Sequence, residues 1–183
     1  MTETERAFAL QYLEDTRDRV LAFAESLTPD ERNFRRSDDE WRPASLIEHI
    51  TAVERLTQKM LARMLSEGQP DESRRGKGAH KDKIVLEAVP ARLIKVPAPE
   101  SVYPPHDCGD FDHAVEEFKS AREQTLEIVR TTDKDLRVLF APHPFLKDLD
   151  GYQWLLMIGS HAERHVRQGE ELLGRRSSAE AAG

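Results

Sequence analysis

Two histidines stand four residues apart in Met157-Ile158-Gly159-Ser160-His161-Ala162-Glu163-Arg164-His165. A helix turns about 100° and rises about 1.5 Å per residue, so this spacing stacks both imidazoles on one face, about 6 Å apart along the axis. Two imidazoles so placed can share one metal ion. A third histidine, His49, lies far upstream in Ala44-Ser45-Leu46-Ile47-Glu48-His49-Ile50. Contributed by a facing helix, it would complete a three-nitrogen site with an open coordination position, which is where metal catalysis takes place.

Polar groups are costly in a core unless they find a partner, and a metal ion is one such partner. The alternative is three separate core histidines, each satisfied by a backbone group or water. Pairs of histidines four apart occur by chance, and spacing alone divides evenly between the two readings once His49 is added. The pattern is not that of a metalloprotease helix, in which Glu directly follows the first His. Here Ala162 takes that place, and Glu163 lies about 200° around the helix from His161, toward solvent or a neighbouring Arg. His80, His106 and His143 fall in expected loops and His113 near a helix start, where surface or capping roles explain them.

The elements that must carry these residues are four segments of helical periodicity. The first spans about Thr4 to Ser26, with Leu10, Leu13, Arg17, Val20, Ala24 and Leu27 alternating three and four apart. Thr28-Pro29-Asp30-Glu31 stops it and begins a short new turn. The second runs from Pro43 to about Glu67-Gly68. Its stripe is Leu46, Ile50, Val53, Leu56, Met60 and Met64, with His49 inside it. The third opens at Asp110, an N-cap after Gly109, and carries Phe111, Val115, Phe118, Leu126 and Val129 up to Thr132-Asp133. An irregular span containing Ala141-Pro142-His143-Pro144 follows. Asp150-Gly151 then leads into the fourth helix, Tyr152 to Leu173, with the stripe Trp154, Ile158, His161, His165, Gln168, Leu172.

Between the second and third helices, Ser66 to Gly109 is long and rich in proline, with two small apolar clusters, Ile84-Val85-Leu86 and Leu93-Ile94-Lys95-Val96. A connection this long is functional, as a cover or substrate-side lid, or else a crossover between helices that are not antiparallel neighbours. Four amphipathic helices with little strand signal predict an all-α four-helix bundle, a single domain over 1–173, with a disordered tail over 174–183.

Composition narrows the function classes. The formal net charge is -7 and the mean hydropathy is -0.65. An acidic balance argues against a nucleic-acid binder, and Arg74-Arg75-Gly76-Lys77-Gly78 reads as a solvated turn rather than a phosphate-binding stripe. The single cysteine, Cys108, can form no intramolecular disulfide and fits a reducing cytoplasm. Its neighbour Asp107 disfavours a reactive thiolate. No signal peptide and no membrane-spanning stretch is visible.

Three pieces of the chain resemble the DinB-like family of bacterial proteins, the DinB/YfiT-like metalloenzymes. They are Trp41-Arg42-Pro43 followed by Leu46-Ile47-Glu48-His49-Ile50, then Gly151-Tyr152-Gln153-Trp154-Leu155, then His161-Ala162-Glu163-Arg164-His165-Val166-Arg167-Gln168, which is similar to the family's His-x-x-Arg-His-x-x-Gln pattern. The resemblance implies an up-down-down-up bundle, a homodimer, and a divalent metal, zinc or nickel, on His49, His161 and His165. Members of known activity include S-transferases that use bacillithiol or a similar small thiol, and a mycothiol-dependent maleylpyruvate isomerase.

The resulting expectation is a metal-dependent enzyme, a low-molecular-weight-thiol S-transferase acting on a small molecule. A hydrolase or a non-catalytic, stress-associated metal-binding bundle is the alternative. Glu48, Glu54 and Asp112 are candidate partners for the ligand imidazoles. Gln168 would face the metal side, Arg164 would hold an anionic substrate or a surface ion pair, and Trp41 and Trp154 would line a pocket or pack at helix ends. The residues do not name the catalytic group or the substrate.

Overall fold

Thr2 and Glu5 begin the first helix. The Thr2 hydroxyl accepts the Glu5 backbone N–H while the Glu5 carboxylate accepts that of Thr2, satisfying two donors that a helix start leaves without partners. The same device recurs at Thr28 with Glu31 and at Asp150 with Gln153. The computed structural model describes residues 1–38, 40–92, 102–104 and 109–174. In it, α1 covers Glu3–Glu25, α2 is the short turn Pro29–Arg32, and α3 covers Pro43–Glu67. A brief α4 (His80–Lys83) widens into a π turn over Ile84–Ala88. Then come α5 (Phe111–Thr131), a hairpin of β1 (Phe140–His143) and β2 (Lys147–Asp150), and α6 (Gly151–Leu172). No helix among the described residues is long and apolar enough to cross a membrane.

Side-chain contacts fix the helix directions. At the start of α1, Arg6 donates to the carbonyls of Val129 and Thr132 at the end of α5, so these two run antiparallel. Tyr12 meets Ser160 at 2.9 Å and Arg19 meets Glu170 at 2.6 Å, so α1 and α6 run parallel. Arg55 pairs with Glu117, and further along Gln58 donates to Thr125 at 2.9 Å, so α3 and α5 also run parallel. The order is up-down-down-up, with α1 and α3 on one diagonal of the bundle. Consecutive parallel helices need a return along the bundle length, and this is why the α3–α5 connection is long. Its described stretch up to residue 92 is more ordered than an irregular loop: Val85 of the π turn is fully buried, and that turn packs on α6. Leu93-Ile94-Lys95-Val96, Cys108, His106 and the tail from residue 175 lie outside the described residues.

The core has two apolar ends with a polar layer between them. The lower end gathers Ala9, Leu13, Leu61, Leu126, Leu155 and Ile158. The upper end gathers Val20, Phe23, Ile47, Ile50, Phe118, Ala162 and Val166. Between them, Arg122 of α5, with no exposed surface, donates to both Glu54 oxygens at 2.8 and 3.0 Å, to the Leu13 carbonyl at 2.6 Å and to Thr16 at 3.0 Å. Thr125 adds a 2.6 Å bond to Glu54. Each charge is paired and hydrogen-bonded, the condition for burying it.

Four of the expectations change. On α3 the buried face passes through Glu54, Thr57, Gln58 and Leu61, which leaves Val53 and Met60 partly exposed and Leu56 53% exposed. On α1 it passes through Ala9, Leu13, Thr16, Val20 and Phe23, with Leu10 and Arg17 at the flank. Glu54 is the partner of Arg122 rather than of a histidine. The span around Ala141-Pro142-His143-Pro144 is the antiparallel hairpin, paired from Phe140↔Asp150 to His143↔Lys147. Its strands are too short, and too interrupted by proline, to give a periodic signal.

Candidate metal centre

His49 sits in the first turns of α3, which Pro43 opens at a position where its missing N–H leaves no bond unmade. The chain just before the helix brings Trp41 back over this histidine, with ring centroids 4.5 Å apart. The same indole lies 6.2 Å from the His165 ring and 5.7 Å from Tyr103, which meets it edge-on. His161 and His165 come from α6, and their Nε2 atoms lie 3.1 Å apart. One ligand atom from each of His49, His161 and His165 falls within 4.8 Å of the others. Imidazole nitrogens about 2.0–2.1 Å from a tetrahedral ion lie roughly 3.3 Å from one another, so the three rings are close to the spacing an ion requires.

The hydrogen bonds behind the rings set which nitrogen faces the centre. His49 Nδ1 is 2.7 Å from the Val102 carbonyl. A carbonyl only accepts, so Nδ1 carries the proton and Nε2 keeps its lone pair. His165 Nδ1 is 2.9 Å from Gln168 Oε1, which also accepts from Arg92 Nη1 at 3.0 Å. Because a guanidinium only donates, the Gln168 atom facing His165 must be the oxygen, and His165 Nε2 is again left bare. The bare His165 Nε2 faces His161 Nε2 at 3.1 Å, a contact that a shared proton satisfies without metal and that a cation bound by both lone pairs would replace. The donor set therefore fits a borderline divalent ion such as Zn²⁺ or Ni²⁺.

Burial and mutual proximity keep the rings neutral. Desolvation, then the neighbouring His49, Arg164 and His143, hold His161 well below the ordinary imidazole range. Desolvation, then His161 and His49, do the same for His165 against the opposing bond to Gln168. Desolvation lowers His49 as well, against the bond to Val102. A neutral imidazole is the form that binds metal.

The other candidate residues are placed as follows. Trp41 lines the centre. Trp154 packs against His143, at 5.2 Å between rings, and its indole N–H donates to the Ala141 carbonyl at 3.3 Å, so it anchors the hairpin. Glu48 borders a groove of about 380 Å³ between α3 and α5, together with Arg55, Asp110, His113 and Glu117. Asp112 is exposed in the first turn of α5. Arg164 donates to the Val89 carbonyl at 3.0 Å, fastening the crossover to α6. Glu163 pairs with Arg167 at 2.7 Å, as its angle on the helix predicts. His143 belongs to β1, and its Nδ1 accepts the backbone N–H groups of Phe145 and Leu146 at 3.2 and 3.1 Å. The sequence gives no sign of Val102, Tyr103 or Arg92. The first acts through its backbone, and all three come from the crossover, where no periodicity places a residue.

A helical bundle whose interior histidines converge from two helices on one point defines a metal-centre bundle. The chain belongs to the DinB superfamily, whose sequence profile matches residues 12–168. It is 29% identical over 148 residues to the uncharacterised protein YuaE of Bacillus subtilis (strain 168), a match spanning 80% of this chain and 85% of YuaE. Its fold is like that of YfiT from Bacillus subtilis, described as a probable metal-dependent hydrolase with an unusual four-helix bundle topology. The TM-score is 0.63 at 13% identity, over 96% of this chain and 91% of YfiT.

Proposed function

We propose that this protein is a metal-dependent enzyme that activates a small thiol and transfers it to an electrophilic small molecule. The observation carrying this reading is the convergence of three neutral imidazole nitrogens with no carboxylate among the ligating residues described. A neutral donor set leaves a divalent ion its full double charge. Held there, such an ion supplies Lewis acidity, which stabilises the anionic form of a thiol or of water near neutral pH. Thiol activation by this route needs no side chain as general base, and none of the described carboxylates joins the three histidines. Val102 and Gln168 hold His49 and His165 in the tautomer that exposes Nε2. Trp41 shields the rings on one side and, with Tyr103, gives an apolar wall for the carbon part of a substrate.

Water is the second nucleophile the same centre would serve, and the hydrolase description of YfiT favours that reading. Elemental analysis of purified protein beside His49→Ala, His161→Ala and His165→Ala tests the centre. Wild type is expected to hold close to one divalent ion per chain, and each variant to lose it. Adding Zn²⁺ at about 100 times its dissociation constant should stabilise wild type by about 2.7 kcal/mol and His161→Ala hardly at all. A panel of small thiols with an electrophilic acceptor then separates transferase from hydrolase. Turnover that proceeds without thiol on activated esters or amides would replace the transferase reading. Wild type without metal, or variants that keep it, would end both.

A further inference from the structure

We infer that Arg92, on the crossover, is a positioning residue of the metal centre that locks the Gln168 amide and thereby the His165 tautomer. This rests on the metal-centre reading above. Arg92 has φ 55, the left-handed region that side-chain-bearing residues seldom occupy. From there its guanidinium spans one turn of α6. Nη1 donates to Gln168 Oε1 at 3.0 Å, and Nε faces both Glu171 oxygens at 3.2 Å. The crossover segment bearing Arg92 is fastened to α6 elsewhere too, by Arg164 on the Val89 carbonyl and by Gln153 on the Gly78 carbonyl and Asp82.

The consequence follows from the two faces of an amide. With its oxygen toward His165, Gln168 accepts the Nδ1 proton and leaves Nε2 bare for a metal. With its NH₂ toward His165, it would donate to Nδ1, move the ring proton to Nε2 and block ligation. The two orientations are nearly equal in shape, so a neighbour must choose between them. Arg92 does so, because a guanidinium can only donate and would face the flipped NH₂ donor to donor. A partner behind a ligand histidine typically changes metal affinity by about 10- to 100-fold.

The test measures Zn²⁺ affinity by chelator competition, and the His165 tautomer in metal-free protein by long-range ¹H–¹⁵N correlation. It uses Arg92→Met, Arg92→Lys, Gln168→Glu and the Arg92→Met/Gln168→Glu double variant. Arg92→Met should weaken Zn²⁺ binding about 10-fold or more and populate the Nε2–H tautomer, with the metal-free melting temperature close to wild type. Arg92→Lys should recover part of the affinity. A carboxylate accepts from either oxygen and needs no lock, so Gln168→Glu should suppress the Arg92→Met defect. Unchanged affinity and tautomer in Arg92→Met would overturn the inference, and so would a defect that Gln168→Glu leaves in place. If wild type binds no Zn²⁺, the metal-centre reading fails by itself, and the tautomer measurement still decides the lock.

Discussion

Replacing Arg122 by methionine is expected to destabilise the fold by about 3–5 kcal/mol, the usual result of removing one member of a buried ion pair. The side chain has no exposed surface and holds both oxygens of Glu54, the Leu13 carbonyl and Thr16. Methionine fills much of the volume but donates nothing. Glu54, 2% exposed, keeps Thr125 as a donor, which is too little for a buried carboxylate. For a chain of this size the loss corresponds to a fall of roughly 6–20 °C in melting temperature. Urea unfolding gives the free energy directly, and a double-mutant cycle isolates the pair. Glu54→Leu with Arg122→Met removes both charges and should return to within about 1–2 kcal/mol of wild type, because apolar pairs often replace buried ion pairs without loss. An Arg122→Met cost below about 1 kcal/mol would refute the reasoning. So would a double variant as unstable as the two single losses combined. Since Glu54 lies little more than one turn beyond His49 on α3, the single variant should also weaken metal binding, and the double should restore it.

Two further outcomes follow from the same geometry. His161 and His165 are held well below the ordinary imidazole range, while the unfolded chain titrates near 6.5. Below that pH the unfolded state binds protons that the metal-free folded state does not. Stability therefore falls on acidification by up to about 1.4 kcal/mol per pH unit for each of the two. Urea midpoints at pH 7.5 and 5.5 measure the slope, which His161→Ala/His165→Ala should flatten; an unchanged slope there contradicts the assignment. At Gly169, an added Cβ would lie 2.3 Å from Phe23 Cζ. The crowding, about 1–3 kcal/mol, opposes the roughly 1 kcal/mol that alanine gains in a helix. Gly169→Ala should lower the melting temperature, and Phe23→Leu should recover it; a stabilised Gly169→Ala would show that α1 yields at this point.

The helix ends were legible because their signals are local. Pro43, Asp110 and Asp150-Gly151 each act within one turn of where they stand, whereas the reciprocal bond of Gln153 to Asp150 emerged only from the structure. The histidine cluster was legible because two of its members share a helix face and the third lies on an apolar stripe. The polar layer was not, since a search for apolar periodicity passes over charged residues. Its one sign was positional: Arg122 stands four residues after Phe118 and four before Leu126, inside the stripe of α5. The supports from the crossover were hidden for another reason. Val102 acts through a carbonyl that every residue possesses, and Arg92 depends on a backbone turn that no pattern in the sequence announces.

The parallel run of α3 and α5 has a bearing on how the protein is made. His49 and the His161/His165 pair lie more than 100 residues apart in the sequence, and α6 packs against both α1 and α3. As the chain emerges from the ribosome, α1 to α5 present one ligand of the three. Only when α6 is inserted would a cation find all its partners together. Metal uptake would thereby report that α6 has docked: a chain cut short before α6 could not draw on the binding energy of the three-histidine centre.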